Sequence, residues 1–246
     1  MMVRNPLVLT GATHVSQDGT PSGYYYAESP SGNTDDWVVF LEGGGACETI
    51  PGCIARSKTA LGSSKYWAPT RATSNDLMAS NCSFNPFCDF NHVFVPCTYR
   101  ALRCCGGSAN LAPCVRDVDS GALRNHRHTD CSGDVYVGME TKADPLGLQF
   151  SGHLTVHGVI ADLQSKFGLG SKSNGTQQRL LLAGSSAGGI GTFVNADYVA
   201  SMLPSVNVRA NPQGGFFFPN MFVRPCSLVA ATATCCIDLV LVGPWY

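Results

Sequence analysis

A short apolar run that breaks at once into glycine and serine constrains this chain most. Residues 180–183 read Leu-Leu-Leu-Ala, and residues 184–188 read Gly-Ser-Ser-Ala-Gly. Such a run followed by glycine predicts a buried strand that ends in a tight turn. Apolar residues then recur on one face of a helical pattern: Ile190, Phe193, Val194 and Tyr198. The segment therefore predicts a strand, a tight turn and an amphipathic helix.

The same alternation occurs elsewhere along the chain. Residues 37–41 and 92–95 are apolar runs, typical of central strands buried on both faces. Residues 24–26 and 206–208 predict two further strands. A helix is predicted from His153, ended by Gly168 or Gly170, with one apolar face: Val156, Val159, Ile160, Leu163 and Phe167. This order predicts an α/β fold with a doubly wound, mostly parallel sheet.

The chain has 246 residues, of which 44% are hydrophobic, enough for one α/β domain over residues 1–246. Two regions depart from the alternation. Residues 97–130 are rich in Cys and Arg and are predicted to be an insertion. Residues 223–246 form an atypical apolar tail that could resemble a membrane anchor. The charged Asp238 near its middle disfavours that interpretation. We therefore expect no membrane span.

Charge and cysteine content narrow the class of protein. Charged residues make up 13% of the chain and the net charge is −1, so no basic stripe is available to bind nucleic acid. Twelve cysteines indicate disulfides and an oxidising, secretory or extracellular location. Glycosylation sequons at Asn81 and Asn174 agree with a secreted glycoprotein. The first ten residues contain no apolar signal-peptide core, so the location is inferred from the cysteines.

Residues 184–188 match the nucleophile elbow G-x-S-x-G and make Ser186 the candidate nucleophile. A sharp turn after a strand lifts the serine hydroxyl clear of the sheet, and the flanking glycines allow close backbone approach. The helix that follows directs its N-terminal amides at the oxygen that becomes negative. The alternative is a glycine-rich turn without catalysis, as in phosphate-binding loops. No Lys follows the glycines, which disfavours a P-loop.

A second glycine motif precedes the elbow. Residues 42–47, Glu-Gly-Gly-Gly-Ala-Cys, follow the first apolar run and are similar to the HGGG-type loop that supplies oxyanion-hole amides. Taken alone, the loop could be a plain glycine turn. Both motifs in the expected order, each after a predicted strand, favour an enzyme.

Several segments together resemble the pectin acetylesterase/Notum family of carboxylesterases. The similarity runs in order from about residue 15 to residue 210. The matching segments are residues 18–25, 37–47, 61–64, 85–87, 91–93, 131–136 and 184–189, with Trp67, Asn195 and Asp197.

The resemblance implies an α/β-hydrolase-like fold and a serine carboxylesterase that deacetylates or deacylates through an acyl-enzyme on Ser186. It implies an oxyanion hole formed by backbone amides at Gly44, Gly45 and Ala187, and a disulfide between Cys47 and Cys53. The implied substrate is an acetylated polysaccharide or an acylated protein. No cofactor and no metal are expected.

Glu42 stands where lipases have His. It could be a general acid, but the resemblance implies that it orients the glycine loop.

The chain also departs from the family pattern. Residues 211–215 read Asn-Pro-Gln-Gly-Gly, where the family tends to carry Asp-Ser-Gly. The family's triad acid and base have no matching positions in this sequence. A base after Ser186 is missing because all six histidines precede it: His14, His92, His126, His128, His153 and His157. An upstream His could serve as base, since geometry rather than order defines a triad. The alternative is a C-terminally truncated, catalytically inactive family member.

A zinc site is a further alternative for the region around the predicted insertion. Its candidate ligands are Cys104, Cys105, Cys114, His126, His128 and Cys131. Their spacing fits no closed four-ligand pattern, so disulfides or a disordered insert are favoured.

Overall fold

The structure is a computed structural model. It describes residues 1–6, 15–72, 76–96, 115–116, 123–124, 133–171 and 176–215. Most of the predicted insertion at residues 97–130, all the candidate zinc ligands and the whole tail at residues 223–246 lie outside these ranges. That residues 1–246 form a single domain stays a prediction.

Nine strands and three α-helices occur in the described residues, joined by two short 3₁₀ turns at Ser64–Tyr66 and Asp76–Met78. The strands are β1 Met2–Pro6, β2 Gly23–Ala27, β3 Asp36–Leu41, β4 Thr70–Arg71, β5 Asn91–Val95, β6 Val115–Arg116, β7 Leu123–Arg124, β8 Arg179–Ser185 and β9 Asn207–Gln213. The helices are α1 Ile50–Ser57, α2 Gly152–Phe167 and α3 Ala187–Met202.

Seven strands form one mixed sheet in the order β4-β1-β2-β5-β3-β8-β9. Strands β5, β3, β8 and β9 are parallel neighbours. Strands β2, β1 and β4 extend the sheet in antiparallel pairings, and β6 pairs with β7 separately. The predicted α/β class is confirmed, with an antiparallel half in the sheet. The four parallel strands end at one edge, where α/β proteins place their ligands.

The central strand β3 is apolar on both faces because each face meets a separate core. Trp37, Val39 and Leu41 point into a core shared with α2 and α3. Val38 points to the opposite face, where Met78 and the segment around it complete a second core. This two-sided burial explains the unbroken apolar run.

Helix α2 confirms the predicted amphipathic helix. Its buried face carries the expected apolar residues: Val156, Val159, Ile160 and Leu163. Gly168 follows the helix with φ 75°, the left-handed conformation that commonly ends helices.

Helix α3 forms where predicted, but it does not pack through the predicted apolar face. Phe193 is 61% exposed and Val194 is 47% exposed. The buried face consists mainly of small residues: Ala187, Gly188, Gly189, Gly191, Thr192, Asn195 and Val199. The strand ends approach so closely that a Cβ added at Gly188 would overlap the carbonyl oxygen of Leu41. Contact with backbone therefore selects glycine over large apolar side chains at this face.

No helix in the described part of the chain has both the length and the apolar character needed to cross a membrane.

An ion pair joins the beginnings of β3 and β8. Asp36 lies opposite Arg179 in the parallel register, and two guanidinium nitrogens donate to its two carboxylate oxygens at 2.6 and 2.7 Å. Asn33 Nδ2 donates to the same carboxylate at 2.8 Å. Hydrogen bonding from Arg179 holds the pKa of Asp36 below its usual value.

We expect Asp36→Asn to lower the free energy of unfolding at pH 7 by about 1 kcal/mol, because Arg179 is more than half exposed and water screens the pair. A carboxylate with a lowered folded-state pKa stabilises the fold above its unfolded-state pKa. That contribution is lost as the pH falls through the folded-state pKa. The difference between the variant and the wild type should therefore shrink toward about pH 3. Urea unfolding at both pH values measures it.

The matched control is Asp197→Asn, an exposed carboxylate on α3 that has no ion-pair partner among the described residues. This variant should differ little from the wild type at either pH. An Asp36→Asn difference that is the same at both pH values would contradict the assignment.

Candidate active site

Ser186 is the one residue between β8 and α3, and its backbone is left-handed with φ 55° and ψ −120°. Its N–H donates to the carbonyl of Gln213 at the end of β9 (2.9 Å). Its carbonyl accepts the N–H of Ile190 in the first turn of α3 (3.0 Å). A non-glycine residue rarely adopts this conformation, which persists only where the surroundings impose it. The predicted sharp turn is therefore confirmed, and Ser186 is half-buried at its tip.

Two glycines flank the serine because backbone lies where their side chains would be. A Cβ at Gly184 would overlap the carbonyl of Gly188, and one at Gly188 would overlap the carbonyl of Leu41. The first turn of α3 thus sits directly on the ends of β8 and β3. This contact fixes Ser186 at the carboxyl edge of the parallel strands.

The glycine loop, residues 42–47, lies against this turn. A Cβ at Gly43 would overlap the carbonyl oxygen of Ser185 and would lie 3.0 Å from the Cβ of Ser186. Gly45 has φ 64°, a conformation that suits glycine. The structure therefore brings together the two glycine motifs that the sequence analysis singled out.

Side chains hold the carbonyl groups of the glycine loop. The Tyr136 hydroxyl donates to the carbonyl of Glu42 (2.9 Å), and Arg56 Nη2 lies 3.5 Å from the carbonyls of both Gly44 and Gly45. The backbone amides of Gly44 and Gly45 have no acceptor among the described residues. Ala187 begins α3, so its N–H has no intrahelical acceptor.

Glu42 is held at its amide, its carbonyl and its carboxylate. Its N–H donates to the carbonyl of Val95 (3.0 Å), its carbonyl accepts from Tyr136, and its carboxylate accepts from Arg71 Nη2 at 2.8 Å. The Arg71 guanidinium thus forms an ion pair with the carboxylate that could have served as a general acid. These contacts agree with the orienting role that the resemblance implies.

Two disulfides lie in the described residues. Cys47 and Cys53 pair as predicted and tie the glycine loop to α1. Cys82 and Cys88 also pair, with the same separation of six residues. This second bridge was not predicted, although its spacing equals that of Cys47 and Cys53.

The three described histidines form hydrogen bonds away from Ser186. His92 Nε2 bonds to the carbonyl of Phe87 (2.8 Å), and burial lowers the pKa of its ring. His153 Nδ1 bonds to Asn195 (2.6 Å), and His157 Nδ1 bonds to Tyr198 (2.6 Å). None of these bonds includes the candidate nucleophile.

The remaining histidines, His14, His126 and His128, lie outside the described residues. Within those residues, no cluster of three or more His, Cys, Asp or Glu side chains is placed to hold a metal ion.

An open groove of about 430 Å³ adjoins the end of β9. It is lined by Leu77, Phe84, Asn85, Pro86 and Gln213. The carbonyl of Gln213 accepts the N–H of Ser186, so one residue of the groove lining is bonded to the candidate nucleophile.

Comparison with known proteins gives one consistent family. The profile of the family described as pectinacetylesterase matches residues 4–102 and 128–232. The palmitoleoyl-protein carboxylesterase notum1' of Xenopus laevis is 33% identical over 82% of this chain and 35% of its own length. The palmitoleoyl-protein carboxylesterase NOTUM of Mus musculus is 31% identical over 96% of this chain and 39% of its own length. Pectin acetylesterase 5 of Arabidopsis thaliana is 29% identical over 85% of this chain and 41% of its own length.

A solved structure shares the fold. The Wnt deacylase Notum from Drosophila superposes with a TM-score of 0.67 at 25% identity, covering 88% of this chain and 54% of that one. The chain therefore spans about two fifths of the length of these curated relatives.

We expect Gly43→Ala to destabilise the protein by about 2 kcal/mol or more, because the new methyl group meets the backbone of Ser185 and cannot be accommodated without moving the turn. Chemical denaturation measures the loss. Gly147→Ala is the matched control, since its Cβ would meet open space. Its φ of 79° should still cost about 1 kcal/mol. A Gly43→Ala loss no larger than the control's would show that the loop does not press on the turn.

Proposed function

Because the chain belongs to the pectinacetylesterase family, we propose that it is a carboxylic ester hydrolase that acts through Ser186. Family membership rests on a profile match to more than half of the residues. The activity is a proposal for this chain, which spans a minority of its curated relatives' length.

The observation that carries the proposal is the left-handed backbone of Ser186 at the turn between β8 and α3. A serine held this way exposes its hydroxyl at the end of the sheet and lies at the positive end of a helix. A plain connecting turn has no need of a strained serine between two glycines. The strain is the expected cost of an exposed nucleophile.

In the proposed reaction, Ser186 Oγ attacks the ester carbonyl carbon and a C–O bond forms. The carbonyl oxygen becomes negative and accepts hydrogen bonds from the amides of Gly44, Gly45 and Ala187. The intermediate collapses and expels the alcohol, which takes up the proton that Ser186 gave to a general base. Water then attacks the acyl-enzyme, releases the carboxylic acid and restores the serine.

The general base has no assigned residue. The three described histidines bond to Phe87, Asn195 and Tyr198. This observation favours a second candidate, a family member that binds esters without turning them over. A serine without a base keeps a high pKa and reacts slowly.

For the substrate, we propose an acyl ester of a polysaccharide or of a protein. The relatives' names specify pectin in one case and palmitoleoyl-protein in the other. We also propose an oxidising, secretory or extracellular location, supported by the Cys47–Cys53 and Cys82–Cys88 disulfides. Neither nucleic acid nor a membrane span enters the proposal.

A fluorophosphonate probe tests the nucleophile directly. We expect the wild-type chain to be labelled and Ser186→Ala to remain unlabelled, because phosphonylation requires an activated serine. Ser185→Ala is the matched control and should keep the label, since Ser185 ends β8 and only Ser186 occupies the turn. Intact-protein and peptide mass spectrometry report the site. Labelling that persists in Ser186→Ala would overturn the assignment.

Hydrolysis of p-nitrophenyl esters separates the two candidate functions. The hydrolase predicts turnover that disappears in Ser186→Ala, and comparing acetate with octanoate esters reports the preferred acyl length. If the chain only binds esters, the wild type should hydrolyse them no faster than Ser186→Ala does.

A further inference from the structure

Tyr136 has an unusual backbone and lies deep in the protein. Its φ is 64°, the preceding Val135 has φ 51°, and Tyr136 is only 2% exposed. Two successive left-handed residues with β-carbons are uncommon, and one of them is β-branched. Such a conformation persists where the surrounding structure demands the position of the side chain.

Asp134 fixes the turn from the N-terminal side. Its Oδ1 accepts the N–H of Tyr136 (3.0 Å). Its Oδ2 accepts the N–H groups of Gly138 (3.1 Å) and of Gly152 (2.9 Å), the first residue of α2. The left-handed pair is thus anchored to α2.

Asn195 fixes the same turn from α3. This fully buried amide donates to the carbonyl of Tyr136 (2.9 Å) and to that of Gly191 (2.8 Å). With both Nδ2 hydrogens committed, its Oδ1 accepts from His153 Nδ1 at 2.6 Å. Asn195 therefore has no rotational freedom, and Tyr136 moves only with α3.

The Tyr136 side chain runs from α3 to the glycine loop. Its ring covers Gly191, where an added Cβ would lie 2.6 Å from a ring carbon. Its hydroxyl donates to the carbonyl of Glu42 at 2.9 Å. The same helix begins immediately after Ser186. One rigid side chain thus spans the distance between the nucleophile's helix and the loop that faces it.

We propose that Tyr136 is a positioning residue that sets the direction of the glycine-loop amides relative to Ser186. A peptide group is planar, so holding the carbonyl of Glu42 also fixes the N–H of Gly43. The loop continues from this peptide into Gly44 and Gly45, whose carbonyls both lie 3.5 Å from Arg56 Nη2. This inference rests on the proposed function, in which those amides receive the developing negative charge.

A substitution can test the Tyr136 hydroxyl separately from its ring. Tyr136→Phe keeps the packing on Gly191 and removes the hydroxyl that donates to Glu42. Tyr25→Phe is a closely matched control, because Tyr25 is also buried and its hydroxyl donates to a backbone carbonyl, that of Ala68, at 2.7 Å. The Tyr25 bond lies on the opposite core, away from the glycine loop.

The first measurement is saturation kinetics of fluorophosphonate labelling. We expect Tyr136→Phe to lower the maximal labelling rate by about tenfold without changing the half-saturating concentration, since a misdirected loop weakens only the charged transition state. Tyr25→Phe should leave both values unchanged. Equal rates for the wild type and Tyr136→Phe, or equal losses in both variants, would overturn the proposal.

The second measurement does not depend on reactivity. Hydrogen exchange followed by mass spectrometry should show faster exchange in Tyr136→Phe at Glu42 and Cys47, whose amides bond to Val95 and Gly133. Exchange elsewhere should match the wild type, and Tyr25→Phe should leave exchange at Glu42 and Cys47 unchanged. If the wild type is not labelled but Tyr136→Phe still shows this local increase in exchange, the proposed hydrolase activity is overturned and the positioning role of Tyr136 stands. An unchanged loop would overturn the positioning role.

Discussion

The contact between the first turn of α3 and the ends of β8 and β3 determines the geometry of the candidate site. Backbone meets backbone there, so a methyl group at Gly184 or Gly188 would overlap a carbonyl oxygen. This approach places Ser186 in a left-handed turn and brings Gly43 against it. The glycines at the start of α3 follow from the same constraint, since a side chain at Gly188 or Gly189 would overlap backbone. The site is therefore a product of backbone proximity, with side chains added around it.

A second layer of contacts orients what the glycines bring together. Glu42 is held at its amide, its carbonyl and its carboxylate by groups from β5, the Tyr136 turn and β4. The Cys47–Cys53 bridge closes the far end of the loop. The loop carbonyls bond inward to Arg56 and Tyr136, while the amides of Gly44 and Gly45 have no acceptor among the described residues. In the proposed reaction these amides are the donors that receive the developing negative charge.

Local patterns predicted the parts of this arrangement that depend on short stretches of sequence. The apolar runs of β3, β5 and β8, the period of α2 and the turn at Ser186 each carry a local signal. The left-handed Tyr136 could not be predicted, because its turn is held by residues of two helices distant in sequence: Gly152 of α2, through Asp134, and Asn195 of α3. The predicted packing face of α3 was wrong for a related reason. Apolar periodicity marks a face that packs through large side chains, whereas the buried face of α3 meets backbone at Gly188 and Gly189 and the Tyr136 ring at Gly191. The antiparallel strands β1 and β4 are short and depend on neighbours distant in sequence.

The strand order also governs how the chain can reach this state. The ion pair that joins the beginnings of β3 and β8 connects residues 143 positions apart in sequence. On the ribosome, β3 can pair with β5 long before β8 has been made, and until then its other edge is open. An unpaired apolar edge is a template for association with other chains. Non-local pairing of this kind also slows folding. The centre of the sheet, which later carries the site, is thus the stretch most exposed to misassembly during synthesis.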